Sequence, residues 1–162
     1  NMLYEITDGS RSVKVLGQLL AKSSSESGYK DRWVEFQLFK TENSETYVVH
    51  RAGMSRIFHS ESCPVVSRNH LTPRVALEDL DPGVYSPCNK CKPNWGDPEG
   101  IYPENPRYHV QVCHSPEGVI RYLTKYDDDN SEYLTNVARV LLESASLVDT
   151  GIKNAYMGEV ID

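Results

Sequence analysis

Val34, Phe36 and Leu38 alternate with Glu35 and Gln37, a period of two that gives a strand one apolar and one polar face. Upstream, the apolar-rich run SVKVLGQLLA from Ser12 predicts another strand, and KSSSESGYKD from Lys22 has the composition of a solvated loop. Downstream, TENSE from Thr41 predicts a turn, then TYVVHRA and SRIFH predict two strands broken near Gly53. A meander of antiparallel strands is the simplest topology for this series.

The second half changes period. GDPEGIYPENPR carries Pro98, Pro103 and Pro106 and predicts an irregular connector, after which YHVQVC alternates as one more strand. Ser115 followed by Pro116 has the form of a helix cap and first position, so a short helix through about Lys125 is expected. DNSE from Asp129 has capping-box spacing and predicts a longer helix to about Leu147, with the tract Asp127-Asp128-Asp129 as its entrance. Leu134, Val137, Ala138, Leu141, Leu142 and Ala145 would form its buried face. The expected class is α+β, an antiparallel sheet with C-terminal helices, in a single domain over 1–162 that includes a strand-helix region at about 107–148.

At 162 residues such a domain can bury a core without staples. No apolar run has the length of a membrane span, and the start lacks the basic-then-apolar pattern of a secretory signal, so a cytoplasmic protein without membrane contact is expected. Asn1 ahead of Met2 reads as a cloning remnant. The net charge is −6, unevenly held: residues 1–96 carry 12 basic and 11 acidic side chains, and residues 97–162 carry 5 and 12. A nucleic-acid partner would therefore have to meet the N-terminal part.

The four cysteines sharpen the picture. Cys88 and Cys91 form a C-x-x-C, and His59 and Cys63 lie four apart and upstream. Two residues between cysteines let both sulfurs reach one metal, and this arithmetic is that of a zinc site in a reducing compartment. The same letters admit a second reading. His59-x-Glu61 followed by Pro87-Cys88-x-x-Cys91 is also the string of a zinc deaminase, with Glu as proton shuttle and water as fourth ligand. Two features weigh against the open, catalytic version. Pro64 and Pro93 stop the chain where deaminase helices should run, and Cys63 supplies a fourth ligand that would displace the water. A ligand set with Cys113 in place of His59 is a further alternative.

FHSESC, then LEDLDPGVYSPCNKCKP, resembles the metal-binding motif of the Ada-type DNA repair proteins, in an aromatic residue before the first ligand and a Pro-Cys-x-x-Cys-x-Pro ending. The likeness spans about residues 58–93. It implies an inserted zinc-binding loop and short-helix module with His59, Cys63, Cys88 and Cys91 as ligands. The family's first ligand is a cysteine thiolate that accepts a methyl group; His59 stands there in this chain, so the resemblance implies a zinc module and no repair activity.

His50, His70, His109 and His114 are expected as hydrogen-bonded structural groups, and no catalytic residue is assigned. Arg51, Arg56, Arg68, Arg74, Lys90 and Lys92 flank the motif with Trp95 nearby, the one candidate surface for DNA or RNA. The functional expectation is a zinc-stabilised, non-catalytic binding module for nucleic acid, with a protein-interaction module and a deaminase-like hydrolase as alternatives.

Overall fold

In a computed structural model the chain is described over residues 1–42, 46–60, 63–64, 84–93 and 102–158. The strands are β1 (Met2–Asp8), β2 (Arg11–Ser24), β3 (Arg32–Thr41), β4 (Tyr47–Ser55), β5 (Ile57–His59), β6 (Ser86–Pro87), β7 (Tyr102–Pro103) and β8 (Arg107–Cys113). They are followed by α1 (Pro116–Leu123), a two-strand hairpin of β9 (Lys125–Tyr126) and β10 (Glu132–Tyr133), α2 (Asn136–Ser146) and α3 (Thr150–Met157). The expected α+β class is what is found. The chain divides into two compact units, one of Asn1–Ser25, Val34–Ala52 and Tyr108–Asp162, the other of Glu26–Trp33 and Gly53–Arg107.

The first unit is built on a curled antiparallel sheet in the order β1-β2-β3-β4-β8. Its curl brings the two outer strands towards each other: Gly9 N–H donates to the Tyr108 carbonyl at 2.9 Å, and Val110 N–H donates to Asp8 Oδ1 at 3.2 Å. Both faces are apolar as a result. Phe36, Leu38, Tyr47 and Val49 pack under the helices with Val119, Leu123, Ala138, Leu141, Leu142 and Ile152, while Ile6, Val15, Phe39 and Val48 form a smaller cluster on the other face. In β3 the predicted alternation is thus real, but its polar phase is partly replaced by Phe39 of the second cluster.

A bulge between Leu19 and Ala21 changes the phase of β2. Before it, Val13, Val15 and Leu19 serve the smaller cluster; after it, Ala21 lies with the helix-side core, and the Ser23 hydroxyl donates to the Val137 carbonyl of α2 at 2.9 Å. One inserted residue lets a single long strand feed both cores.

Several sequence expectations need correction. The break placed near Gly53 falls at Arg56, because β4 runs extended through the glycine and Arg56 N–H turns away to the Asp31 carbonyl at 2.9 Å. The long helix does not open at Asp129. Asp127 Oδ1 accepts from the backbone of Asp129 (3.2 Å) and Ser131 (3.0 Å), and Asn130 takes a left-handed φ of 64°, so the tract makes the β9–β10 turn. Such a local side-chain-to-backbone turn competes directly with helix entry. The helix starts a few residues later, where Thr135 Oγ1 accepts from Ala138 N–H at 3.3 Å. Leu134 packs against the core from outside the helix. Strand β1 and helix α3 were not expected. The short helix capped by Ser115 was, and α1 matches it. The short helix expected between Cys63 and Cys88 lies outside the described residues. No helix among the described residues is long and apolar enough to cross a membrane.

Candidate metal centre

In the second unit three very short strands pair in the order β6-β5-β7. β5 runs parallel to β6 with Phe58 opposite Pro87, and antiparallel to β7 with His59 opposite Tyr102. The ladder continues past the strand ends: Cys88 N–H donates to the Phe58 carbonyl at 3.0 Å, and Glu104 N–H to the Ile57 carbonyl at 3.0 Å. Phe58 is fully buried, with Pro93, Tyr102 and Pro103 also inside. The pairing therefore delivers His59, Cys88 and Glu104, far apart in sequence, to one end of a small sheet.

His59, Cys63, Cys88 and Cys91 converge there, with one ligand atom from each lying within 4.8 Å of all the others. Cys63 N–H donates to the Ser60 carbonyl at 3.3 Å. The turn holding Cys91 is closed by Lys92 N–H donating to the Cys88 carbonyl at 2.9 Å, with Lys92 at φ 46°. Backbone N–H groups also point at sulfur: Lys90 at Cys88 and Ser60 at Cys91, both at 3.4 Å. Burial pushes the Cys88 thiol up, but the N–H groups of Cys91 and Lys90 and the neighbouring cysteines outweigh it and hold the thiol below its ordinary value. Burial also raises Cys91, and there the Ser60 donor does not offset it. One histidine and three cysteines so placed can hold a metal ion.

The histidine ring is oriented from behind. His59 Nδ1 faces the sulfurs of Cys63 (3.2 Å) and Cys91 (4.0 Å), while Nε2 meets Glu104 Oε1 at 3.0 Å. Both side chains are nearly out of solvent, at 1% and 3% exposed. The same Glu104 oxygen accepts from Arg32 at 2.6 Å, whose side chain is 55% exposed. With a carboxyl oxygen at Nε2, the ring can donate there and turn the Nδ1 lone pair towards the thiols. Glu104 escaped the sequence reading because it sits in the proline-rich connector with no motif spacing to the ligands, and only the β5–β7 register reveals it.

The other singled-out residues divide between the two units. The Arg56 guanidinium, 15% exposed, lies 4.4 Å from the Trp33 ring centroid, donates to the Lys30 and Ser27 carbonyls, and pairs with Glu26 at 3.4 Å. It ties the segment Glu26–Trp33 to β5. Arg51 is half-buried in β4 of the first unit, and Lys90 and Lys92 are exposed beside the thiols. Glu61, Arg68, His70, Arg74 and Trp95 lie outside the described residues. Cys113 belongs to the helix-side core of the first unit, where burial raises its thiol. His50 is held by the Thr7 carbonyl at 2.9 Å and stacks on Tyr108; His109 stacks on Tyr122.

Comparison with protein-family models, curated proteins and solved structures found no match to this chain, so the Ada-type likeness stands on the motif alone.

Proposed function

We propose that His59, Cys63, Cys88 and Cys91 hold one zinc ion in a closed structural site, and that the unit so stabilised is a non-catalytic binding module of a cytoplasmic protein. The observation that carries this reading is the convergence of four ligand atoms within 4.8 Å with Cys63 among them. Zinc–sulfur bonds of about 2.3 Å and zinc–nitrogen bonds of about 2.0 Å make tetrahedral edges of roughly 3.5–3.8 Å, so a modest contraction completes the site. Four protein ligands leave no position for an activated water, which is what separates this module from a deaminase-like hydrolase. Zinc would supply cross-linking and thiolate charge neutralisation; the chain's own N–H groups at Cys88 and Cys91 would share the remaining negative charge.

Exposed Lys90 and Lys92 beside the site favour a nucleic-acid partner over an uncharged one. Binding to labelled oligonucleotides that weakens steeply with salt separates this partner from a protein. The test of the site itself is elemental analysis of protein purified without chelators: one zinc per chain is expected, and a metal-free, folded protein that takes up no zinc on titration rejects the reading.

A further inference from the structure

We infer that Glu104 is a positioning residue of the metal centre, selecting the ring nitrogen with which His59 binds the ion and, through Arg32, keeping its own charge balanced. The inference rests on the zinc reading above and goes beyond it by assigning a residue 45 positions from the histidine. Three observations converge on it. Glu104 is buried and has its own backbone fixed by the Ile57 carbonyl, so its carboxylate is presented rigidly. Its Oε1 lies on Nε2 of His59, the nitrogen that faces away from the thiols. The same oxygen also accepts from Arg32 at 2.6 Å, so the side chain is held between a cationic donor and the ring.

The chemistry follows from that placement. Imidazole has two nitrogens of similar basicity, and a free histidine exchanges its proton between them. A fixed acceptor at Nε2 holds the proton there, orders the ring before the ion arrives, and makes Nδ1 the better donor to a cation. Without a partner the buried Nε2–H would be unsatisfied when Nδ1 is ligated, and the site would bind less tightly. Arg32 completes the balance, since three thiolates and a divalent ion already leave one negative charge before Glu104 adds another.

The experiment uses the full chain with two metals. In competition titrations with a chromophoric chelator, Glu104→Gln is expected to weaken zinc roughly 10- to 100-fold relative to the unaltered protein. On the protein loaded with cadmium-113 and labelled with nitrogen-15, the metal should couple to Nδ1 of His59, with a slowly exchanging proton on Nε2. Cadmium coupled to Nε2 in the unaltered protein overturns the inference, and needs no variant to fold. So does equal zinc affinity in Glu104→Gln. Absence of any zinc or cadmium binding to the unaltered protein overturns the zinc reading and this inference with it. Metal bound through Nδ1 with Glu104→Gln unimpaired leaves the zinc reading standing and removes only the positioning role.

Discussion

The Asp149 carboxylate accepts from the Tyr47 hydroxyl at 2.7 Å, from Ile152 N–H at 3.0 Å as the cap of α3, and from Lys40 Nζ at 2.9 Å. Burial pushes its pKa up, yet these donors outweigh burial and hold it below the usual carboxylate value. The sign of the consequence is fixed. A depressed folded pKa adds stability that is complete above the unfolded value of about 3.9 and is lost as pH falls through the folded one. Asp149→Ala removes the cap and leaves the buried Tyr47 hydroxyl without this acceptor, at a cost of about 2–4 kcal/mol. Urea unfolding at pH 7 and across the acid range checks both: the variant should lose stability at pH 7 and show a flatter acid decline. An equal acid decline in both proteins would place the titrating group elsewhere. A cap this complete was poorly announced in the sequence, because α3 is short and carries Gly151 and Asn154, weak helix formers, so no apolar period stands out. At the metal centre the reverse holds. Cys88, Cys91, His59 and Cys63 were legible because two- and four-residue spacings are local facts, whereas Glu104 depends on a pairing that no local pattern encodes.

Elements were legible where one period ran unbroken and lost where a local device interrupted it. The strand Arg32–Thr41 and the cap at Ser115 follow rules that act within a few residues. The start of α2 was misplaced because Asp127 offers its neighbours' N–H groups a turn before a helix can form. The bulge in β2 is equally silent in sequence, since Leu19, Leu20 and Ala21 are all apolar and permit either phase. Gly17, just before it, has a readable physical role once the register is known. It pairs with Thr41 of β3, and a Cβ built there would collide with the Lys40 carbonyl oxygen and lie 2.9 Å from Thr41 Cα. These are backbone atoms that cannot swing aside. Gly17→Ala should therefore destabilise the sheet by about 1–3 kcal/mol, despite alanine's smaller backbone entropy loss. Urea denaturation should show a lower midpoint at unchanged slope. A midpoint equal to or above that of the unaltered chain would mean that β2 and β3 separate easily at this point.

At the scale of the whole molecule, the two units differ in what holds them. The first has two apolar clusters, with Leu38, Phe39, Val49, Leu141, Leu142 and Ile152 fully buried, and none of the four converging ligands. Among the described residues of the second, the interior is Phe58, Tyr102, two prolines, and the polar or ionisable His59, Cys88 and Glu104. Strands of two or three residues are marginal on their own, and zinc held by the four ligands would contribute on the order of the roughly 10–16 kcal/mol that it gives small zinc-binding peptides. Removing the metal with a chelator should thus act selectively. Amide exchange followed by mass spectrometry should accelerate strongly over Ile57–His59, Ser86–Pro93 and Tyr102–Glu104. Protection of β2, β3, β4 and α2 should persist, since the first unit's burial is independent of the ion. Thermal unfolding without metal should keep one cooperative transition for that unit, and restoring zinc should recover the protection elsewhere. Equal loss across both units on chelation would show that the metal underwrites the whole fold. Unchanged exchange around Cys88 and Cys91 in protein verified as metal-free would show that the small sheet stands without it, and would strip the proposed zinc of its structural role.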